Sequence, residues 1–367
     1  MFKIKWVCYL LTFWCLSFPV RGEKITENFD LNSDFRYRFE IPDVAQGSPV
    51  NQSYHRGLFR FGGRFKLKNQ VQTEFRLATG SGRTSTQHTL GDSDLGNDFA
   101  NWTLKLDRAF VDFGIDEVDS IKTVIYLGRA PSLAFIPKAS DLQWDTDLNL
   151  DGIAGKVTFS EMPLFISVGT YILKQDLARR DSQSYLDQTS LGYGVSYGDW
   201  DWNLGLGHSA FVGLKGRTPV GQKAAGNSVV DSTYVHDYKT VNVGGDISLK
   251  SFLGPLGLTS EYVFNSALSQ QNRAYLVGLR WGDTKSLGEW FFNYDFRFLE
   301  KDSLVGALAD GDSLVGYGVD GNSHRFRVGF QPRPGWQASI AYFVGKAGIS
   351  TSGHRRNKGQ FDLSFSY

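Results

Sequence analysis

Over most of its length the chain alternates, residue by residue, between bulky apolar and polar side chains. In residues 289–298, EWFFNYDFRF, every second side chain is aromatic, and the residues between them include Asp295 and Arg297. The last seven residues, FDLSFSY, repeat the pattern and end on Tyr367. A period of two is the signal of a β-strand with two unlike faces. The polar face is rich in arginine and lies opposite an unbroken aromatic row.

Composition agrees with an all-β chain. Glycine (41), phenylalanine (28) and tyrosine (16) are abundant, whereas methionine occurs only twice. No segment after the N-terminus carries a sustained apolar repeat at helical spacing, so helical classes are disfavoured.

The first 22 residues have the features of a cleaved signal peptide. Lys3 and Lys5 precede an apolar run over residues 6–18, and Val20 and Gly22 supply the small residues of a cleavage site. Both cysteines lie within this segment, so residues 23–367 would form an exported chain without disulfides. The segment carries three basic residues and no acid, so the rest is slightly acidic and offers no bulk attraction to nucleic acid.

Connection lengths distinguish between β-architectures. Short connectors, such as residues 68–69 and 198–200, alternate with long ones, such as 80–101 and 212–237. Strands of about ten residues with short turns at one end and long loops at the other are typical of an outer-membrane barrel. The expected fold is therefore a transmembrane antiparallel up-and-down β-barrel with short periplasmic turns and long extracellular loops. Its sixteen candidate strands are 32–40, 57–67, 70–79, 102–114, 121–129, 152–159, 163–174, 189–198, 201–211, 238–249, 256–265, 272–282, 289–299, 323–331, 335–345 and 359–367.

Aromatic placement supports this prediction independently. Five tryptophans lie beside short turns, as an aromatic belt at one membrane interface requires. The predicted interface residues are Trp200, Trp202, Trp281, Trp290, Trp336 and the C-terminal Tyr367. Two regions fit less well. Leu104 and Leu106 share parity with Arg108, which calls for a bulge or a late strand start, and segments 201–211 and 238–249 are glycine-rich.

The chain resembles bacterial outer-membrane porins of the general-diffusion type, and in particular the families described as putative porins. The resemblance rests on residues 126–160, YLGRAPSLAFIPKASDLQWDTDLNLDGIAGKVTFS, where a G-R-x-P turn leads into a loop with aspartates and Trp144. It implies a trimeric, water-filled channel in a Gram-negative outer membrane, with a third loop, 130–151, folded into the pore. Its partners would be lipid, small hydrophilic solutes and the barrel-assembly machinery, which would recognise the aromatic C-terminal strand.

In the predicted strand order, the acidic loop 130–151 faces a basic wall across the lumen. The opposed charges would set up a transverse electric field where the loop narrows the pore. The loop carboxylates are Asp141, Asp145, Asp147 and Asp151. The wall residues are Arg36, Arg38, Arg60, Arg64, Lys66, Arg76 and Arg108, with Arg297, Arg325 and Arg327 on the far side. No cofactor is expected.

Alternatives stay open. Asp147, Asn149, Asp151 and Gly152 match the start of a calcium loop, but the twelfth position is Thr158 rather than glutamate. The aspartates could also be solvated loop residues, and the arginines could form surface ion pairs on a soluble sheet.

Other functions are a channel that prefers acidic sugars or anions, and a secreted carbohydrate-binding β-protein. A barrel esterase using Ser323–His324 has no nucleophile elbow to support it, so no enzyme activity is expected.

Overall fold

A computed structural model describes most of the chain and all of the barrel strands. The described residues are 24–42, 53–68, 70–80, 88–89, 103–118, 120–174, 183–252, 254–284, 286–314 and 317–366. The predicted signal peptide and Tyr367 lie outside the described residues. Within the described part, no helix is long and apolar enough to cross a membrane.

Sixteen long strands form the molecule, which confirms the predicted number. They are β1 Phe29–Pro42, β2 Tyr54–Lys68, β3 Val71–Thr79, β4 Leu104–Val118, β5 Ile121–Ala130, β6 Leu150–Phe159, β7 Leu164–Lys174, β8 Ser184–Tyr197, β9 Trp200–Val212, β10 Tyr238–Leu249, β11 Leu256–Asn265, β12 Arg273–Gly282, β13 Trp290–Leu299, β14 Gly321–Arg333, β15 Trp336–Ala347 and β16 His354–Ser366. Short strands at Lys24–Thr26, His88–Thr89, Val229–Val230 and Thr233–Tyr234, and two 3-10 turns at Val220–Gln222 and Gly306–Leu308, complete the regular structure of the described residues.

The sheet closes on itself. Every strand is antiparallel to the next, and β16 returns to pair with β1, with Phe35 opposite Phe365 and Phe39 opposite Phe361. A closed barrel leaves no unpaired edge, which is what a strand structure in lipid requires. The sixteen strands therefore form a closed sheet rather than an open one.

The predicted bulge lies in β4. Leu106 pairs with Leu77 and Arg108 with Arg76, so Asp107 is an extra residue with no partner in β3. The bulge reverses the side-chain alternation. It leaves Leu104 and Leu106 exposed on the outer surface and turns Asp107 inward, where it is 2% exposed and pairs with Arg76.

The two faces of the barrel differ as the sequence pattern predicts. Large apolar side chains are exposed around the outside, among them Leu67, Leu279 and Ile340, whereas buried charged groups such as Arg297 and Glu261 point inward. At the short turns Trp200, Trp202, Trp281 and Trp290 are exposed, Trp336 is partly buried beside Phe365, and the rings of Trp200 and Trp202 lie 6.2 Å apart. The membrane-interface role of these residues stays a prediction.

Three of the long connections turn into the barrel. They are called loop 3 (residues 131–149), loop 5 (213–237) and loop 7 (300–320), numbered by their order among the long connections. Their apolar residues form two buried clusters with inward side chains of β6 to β13. That side of the lumen is consequently filled, and open space is left on the opposite side.

Candidate pore and its inner loops

Loop 3 packs on bare backbone of the barrel wall. The ring of Phe135 covers Gly205 of β9 so closely that an added Cβ would lie 2.2 Å from it, and Pro137 approaches Gly244 of β10 in the same way at 3.1 Å. Phe135 is buried. The glycine-rich segments 201–211 and 238–249 therefore form the surface on which loop 3 packs, because only glycine leaves room for the loop.

Gly205→Ala should loosen this packing. The new methyl group meets the base of the Phe135 ring, and overpacking of this kind costs about 1–3 kcal/mol. The temperature at which the folded barrel unfolds in detergent, followed by gel mobility, should fall. Gly359→Ala in β16 is the control because its Cβ meets no atom within 4 Å. Equal midpoints for the two variants would contradict this assignment.

Asp141 belongs to a partly buried ion cluster on the far wall. Its carboxylate accepts from Arg297 at 2.6 Å and from Arg325 at 2.7 Å, and Asp295 bridges the same two guanidinium groups at 3.0 and 2.5 Å. Burial alone would raise the pKa of Asp141, but the two arginines outweigh it and hold that pKa well below its usual range. Asp141 is thus in direct contact with the wall.

Asp147 and Asn149 contact the near wall. Asp147 pairs with Arg60 at 3.0 Å, and Arg60 also pairs with Asp34 at 2.8 Å. The amide of Asn149 accepts from Arg108 at 2.8 Å and donates to Asp107 at 3.1 Å. Loop 3 is therefore held to β2 and β4 as well as to the far wall.

Calcium gains little support from this arrangement. Each of the three candidate ligands has an arginine within hydrogen-bond distance. As described above, Arg60 contacts Asp147 and Arg108 contacts Asn149. The third ligand, Asp151, lies in β6 and pairs with Arg129 at 2.9 Å. Among the described residues no group of three His, Cys, Asp or Glu side chains is placed to hold a metal ion. The expectation that no cofactor binds stays a prediction, with calcium as its alternative.

Asp145 differs from its neighbours because no described lysine or arginine forms an ion pair with it. One carboxylate oxygen accepts from the N–H of Asp147 at 2.8 Å, and its own N–H donates to the carbonyl of Leu308 in loop 7 at 2.8 Å. Burial raises the pKa of Asp145 to about 8, and the nearby carboxylates of Asp310, Asp147 and Asp312 act in the same direction.

Much of the predicted basic wall is neutralised by carboxylates of neighbouring strands. Arg64 pairs with Glu74, Arg76 with Asp107, and Arg38 with Asp362. Lys66 is exposed near the turn end of β2. Side-chain pairs between adjacent strands of this kind depend on register, which single-strand periodicity does not reveal.

An open cavity of about 770 Å³ remains in the lumen. Loops 3, 5 and 7 bound it on one side, and β1, β2 and β12 to β16 on the other. Nine cationic and seven acidic side chains line it, so the cationic ones are in excess. The predicted residues that line it are Arg36, Arg38, Arg325, Arg327, Asp141, Asp145 and Asp147.

Three of the lining arginines form no ion pair with any described carboxylate: Arg36, Arg280 and Arg327. The Nε atoms of Arg36 and Arg280 are buried and have no hydrogen-bond partner, and Arg327 contacts only Ser339, Gln337 and the ring of Phe291. These guanidinium groups give the cavity its positive character.

Sequence reasoning missed loop 7. Asp310 and Asp312 line the cavity from this loop, and Asp312 pairs with Arg38 at 2.8 Å and with Lys358 at 3.1 Å. Burial raises the pKa of Asp310 to about 6, with Asp141 and Asp312 adding to the effect. A signal was available, since the loop repeats DSLVG at 302–306 and 312–316. Repeated Leu-Val pairs in an otherwise polar connection indicate burial.

Ser323 and His324 do not form a nucleophile and base. They are consecutive residues of β14, so their side chains point to opposite faces. Ser323 is fully buried, and the His324 ring contacts the hydroxyl of Tyr294 at 2.9 Å. This pair cannot exchange a proton.

Comparison with known proteins agrees with the barrel fold. The sequence model of the family described as "Putative porin" matches residues 27–203. No curated protein has a sequence that matches this chain.

Solved porin structures share the fold. The high-pH structure of Pseudomonas putida OprB has a TM-score of 0.63 at 10% identity and covers 93% of this chain and 94% of its own. A loop-deletion mutant of OmpT from Vibrio cholerae gives 0.52 at 11%, covering 93% and 100%, and a multiple mutant of Rh. blastica porin gives 0.51 at 11%, covering 92% and 100%. Residues 27–203 match the sequence model of a porin family and the whole barrel shares the fold of solved outer-membrane porins, so the chain is similar to porins in sequence over its N-terminal part and in fold throughout.

Proposed function

We propose that this outer-membrane diffusion channel is narrowed where loop 3 meets the arginine-bearing wall. The observation that carries the proposal is the cavity itself, which has Asp145 and Asp147 of loop 3 on one side and Arg36, Arg38 and Arg327 on the other. Opposed charges across a water-filled gap create a transverse field that orients dipolar solutes and separates ions by sign. Small hydrophilic solutes and ions pass by diffusion, without chemistry.

Anions are the favoured solutes in this proposal. The three guanidinium groups without a carboxylate partner can interact with a passing carboxylate or phosphate at no cost to an existing ion pair. A channel for acidic sugars would use the same groups. Block of the ionic current by sugar acids, compared with neutral sugars of the same size, separates a binding preference from simple diffusion.

The test is reconstitution in planar bilayers across a salt gradient. Wild-type protein should form channels whose reversal potential shows anion preference. Asp147→Asn should increase that preference by up to about threefold, the effect of one unit charge on an ion passing a few ångströms away in water. Asp231→Asn, in the exposed hairpin of loop 5, is the control. An unchanged reversal potential in the Asp147 variant would contradict the constriction.

Three further expectations accompany this proposal: assembly as a homotrimer in a Gram-negative outer membrane, removal of residues 1–22, and delivery to the barrel-assembly machinery by the aromatic strand β16. The exposed apolar belt supports the membrane location, and the aromatic residues of β16 support delivery to the assembly machinery.

A further inference from the structure

Loop 7 is anchored inside the barrel by buried polar contacts. Asp302 accepts from the N–H and hydroxyl of Ser228 at 2.9 and 2.6 Å and from the hydroxyl of Tyr238 at 2.8 Å. Asn227 of loop 5 donates to the carbonyls of Lys301 and Leu304 and accepts from the N–H of Gly306. Buried polar groups satisfied this fully fix one conformation. The start of loop 7 is therefore locked to loop 5.

The rest of the loop is held by apolar contacts and by loop 3. Leu304, Val305 and Leu308 are at most 2% exposed, and the carbonyl of Leu308 accepts from the N–H of Asp145. Burial of these side chains contributes about 1.5–3 kcal/mol each relative to exposure. A free extracellular loop would not bury them, so the position of loop 7 in the lumen follows from its own sequence.

The part of loop 7 that carries Asp310 and Asp312 reaches the opposite wall of the lumen. The connection from β13 to β14 carries Asp312 to Arg38 of β1 and Lys358 of β16. Arg38 has a second carboxylate, Asp362, at 2.7 Å, whereas Asp312 is the only described carboxylate that pairs with Lys358. The ammonium group of Lys358 also lies 4.7 Å from the ring of Phe343, and its side chain is 2% exposed.

We propose that loop 7 is a second pore-forming loop and that Asp312 is a specificity-determining residue. Its carboxylate neutralises the charge of Lys358, and part of that of Arg38, at the wall where solutes pass. The inference deepens the proposed function and rests on it, because it assigns to loop 7 a share of the selectivity otherwise given to loop 3 alone.

Two variants of opposite sign test the inference. Asp312→Asn should leave Lys358 uncompensated and raise the anion-to-cation permeability ratio by about threefold, whereas Lys358→Gln should lower it by a similar factor. Asp237→Asn removes an exposed loop 5 charge away from the cavity and should leave the ratio unchanged. Heat-modifiable gel mobility verifies that each variant is folded.

The outcomes separate this inference from the proposed function. Opposite shifts in the two variants support it. If both variants change the conductance in the same direction and leave the ratio unaltered, Asp312 only holds the loop and the inference is overturned. If wild-type protein forms no ion-conducting channel, the proposed function itself fails, whatever the variants do.

Discussion

Asp141→Asn is expected to release loop 3 from the far wall and to raise the single-channel conductance. Arg297 is 1% exposed and shares Asp141 with Arg325. Removing one partner of a buried ion pair leaves uncompensated charge and costs up to about 3–5 kcal/mol. The lost free energy mainly weakens the attachment of loop 3 to the wall. Arg297 itself stays in place because Asp295 and Asp310 still pair with it.

Conductance and size exclusion measure the effect together. A displaced loop 3 should widen the path, so larger neutral sugars should enter liposomes that carry the variant faster than those that carry wild-type protein. Asp151→Asn is the matched control, since its pair with Arg129 is half exposed and such pairs contribute about 0–1 kcal/mol. A variant with wild-type conductance and sugar cut-off would show that Asp141 does not anchor the loop.

The barrel could be predicted from sequence because its determinants are local. Alternation along one strand shows which side chains meet lipid, and turn lengths fix the order of the strands. The largest errors lie at strand ends: β8 begins at Ser184 and β16 at His354, five residues before the predicted starts in both cases. The first residues of β16, HRRNK, are polar on both faces and carry no alternating signal.

The pore could be predicted only in part because its contacts join distant parts of the chain. Arg38 and Asp362 are 324 positions apart, and Arg297 and Asp141 are 156 apart. Such pairs exist only once the barrel has closed and the loops have turned inward. Sequence reasoning found the acidic loop and many of the arginines, but not which carboxylate neutralises which cation. That pairing leaves Arg36, Arg280 and Arg327 as the lining arginines without a described carboxylate partner.

Selectivity should depend on pH between about 6 and 8. Burial and neighbouring carboxylates raise the pKa of Asp145 to about 8 and that of Asp310 to about 6. Both groups line the cavity, and the charged groups that act on Asp310 are Asp141, Asp312, Arg297 and Arg325. Below these values the carboxyls are neutral and the lining is more positive. Two charges gained on raising the pH should lower the anion-to-cation permeability ratio by about tenfold.

Stability should change with pH in a related way. An acid whose pKa is raised by folding binds its proton more tightly in the native state than in the unfolded state. Its contribution to stability therefore falls as the pH rises from the ordinary pKa of the acid, near 4, to its pKa in the folded protein. Asp145→Asn removes the group with the higher pKa. It should therefore flatten the stability profile between about pH 4 and pH 8 and the selectivity profile around pH 8, whereas Asp237→Asn should leave both unchanged.

Reversal potentials recorded from pH 5 to pH 9 decide the matter. A ratio that falls with pH in wild type, and falls less in the Asp145 variant, would place a titrating carboxyl of loop 3 in the ion path. A ratio constant over this range would mean that ions pass out of reach of Asp145 and Asp310. The field of the narrow zone would then arise from groups that keep their charge at every pH tested, among them the guanidinium groups of the lining.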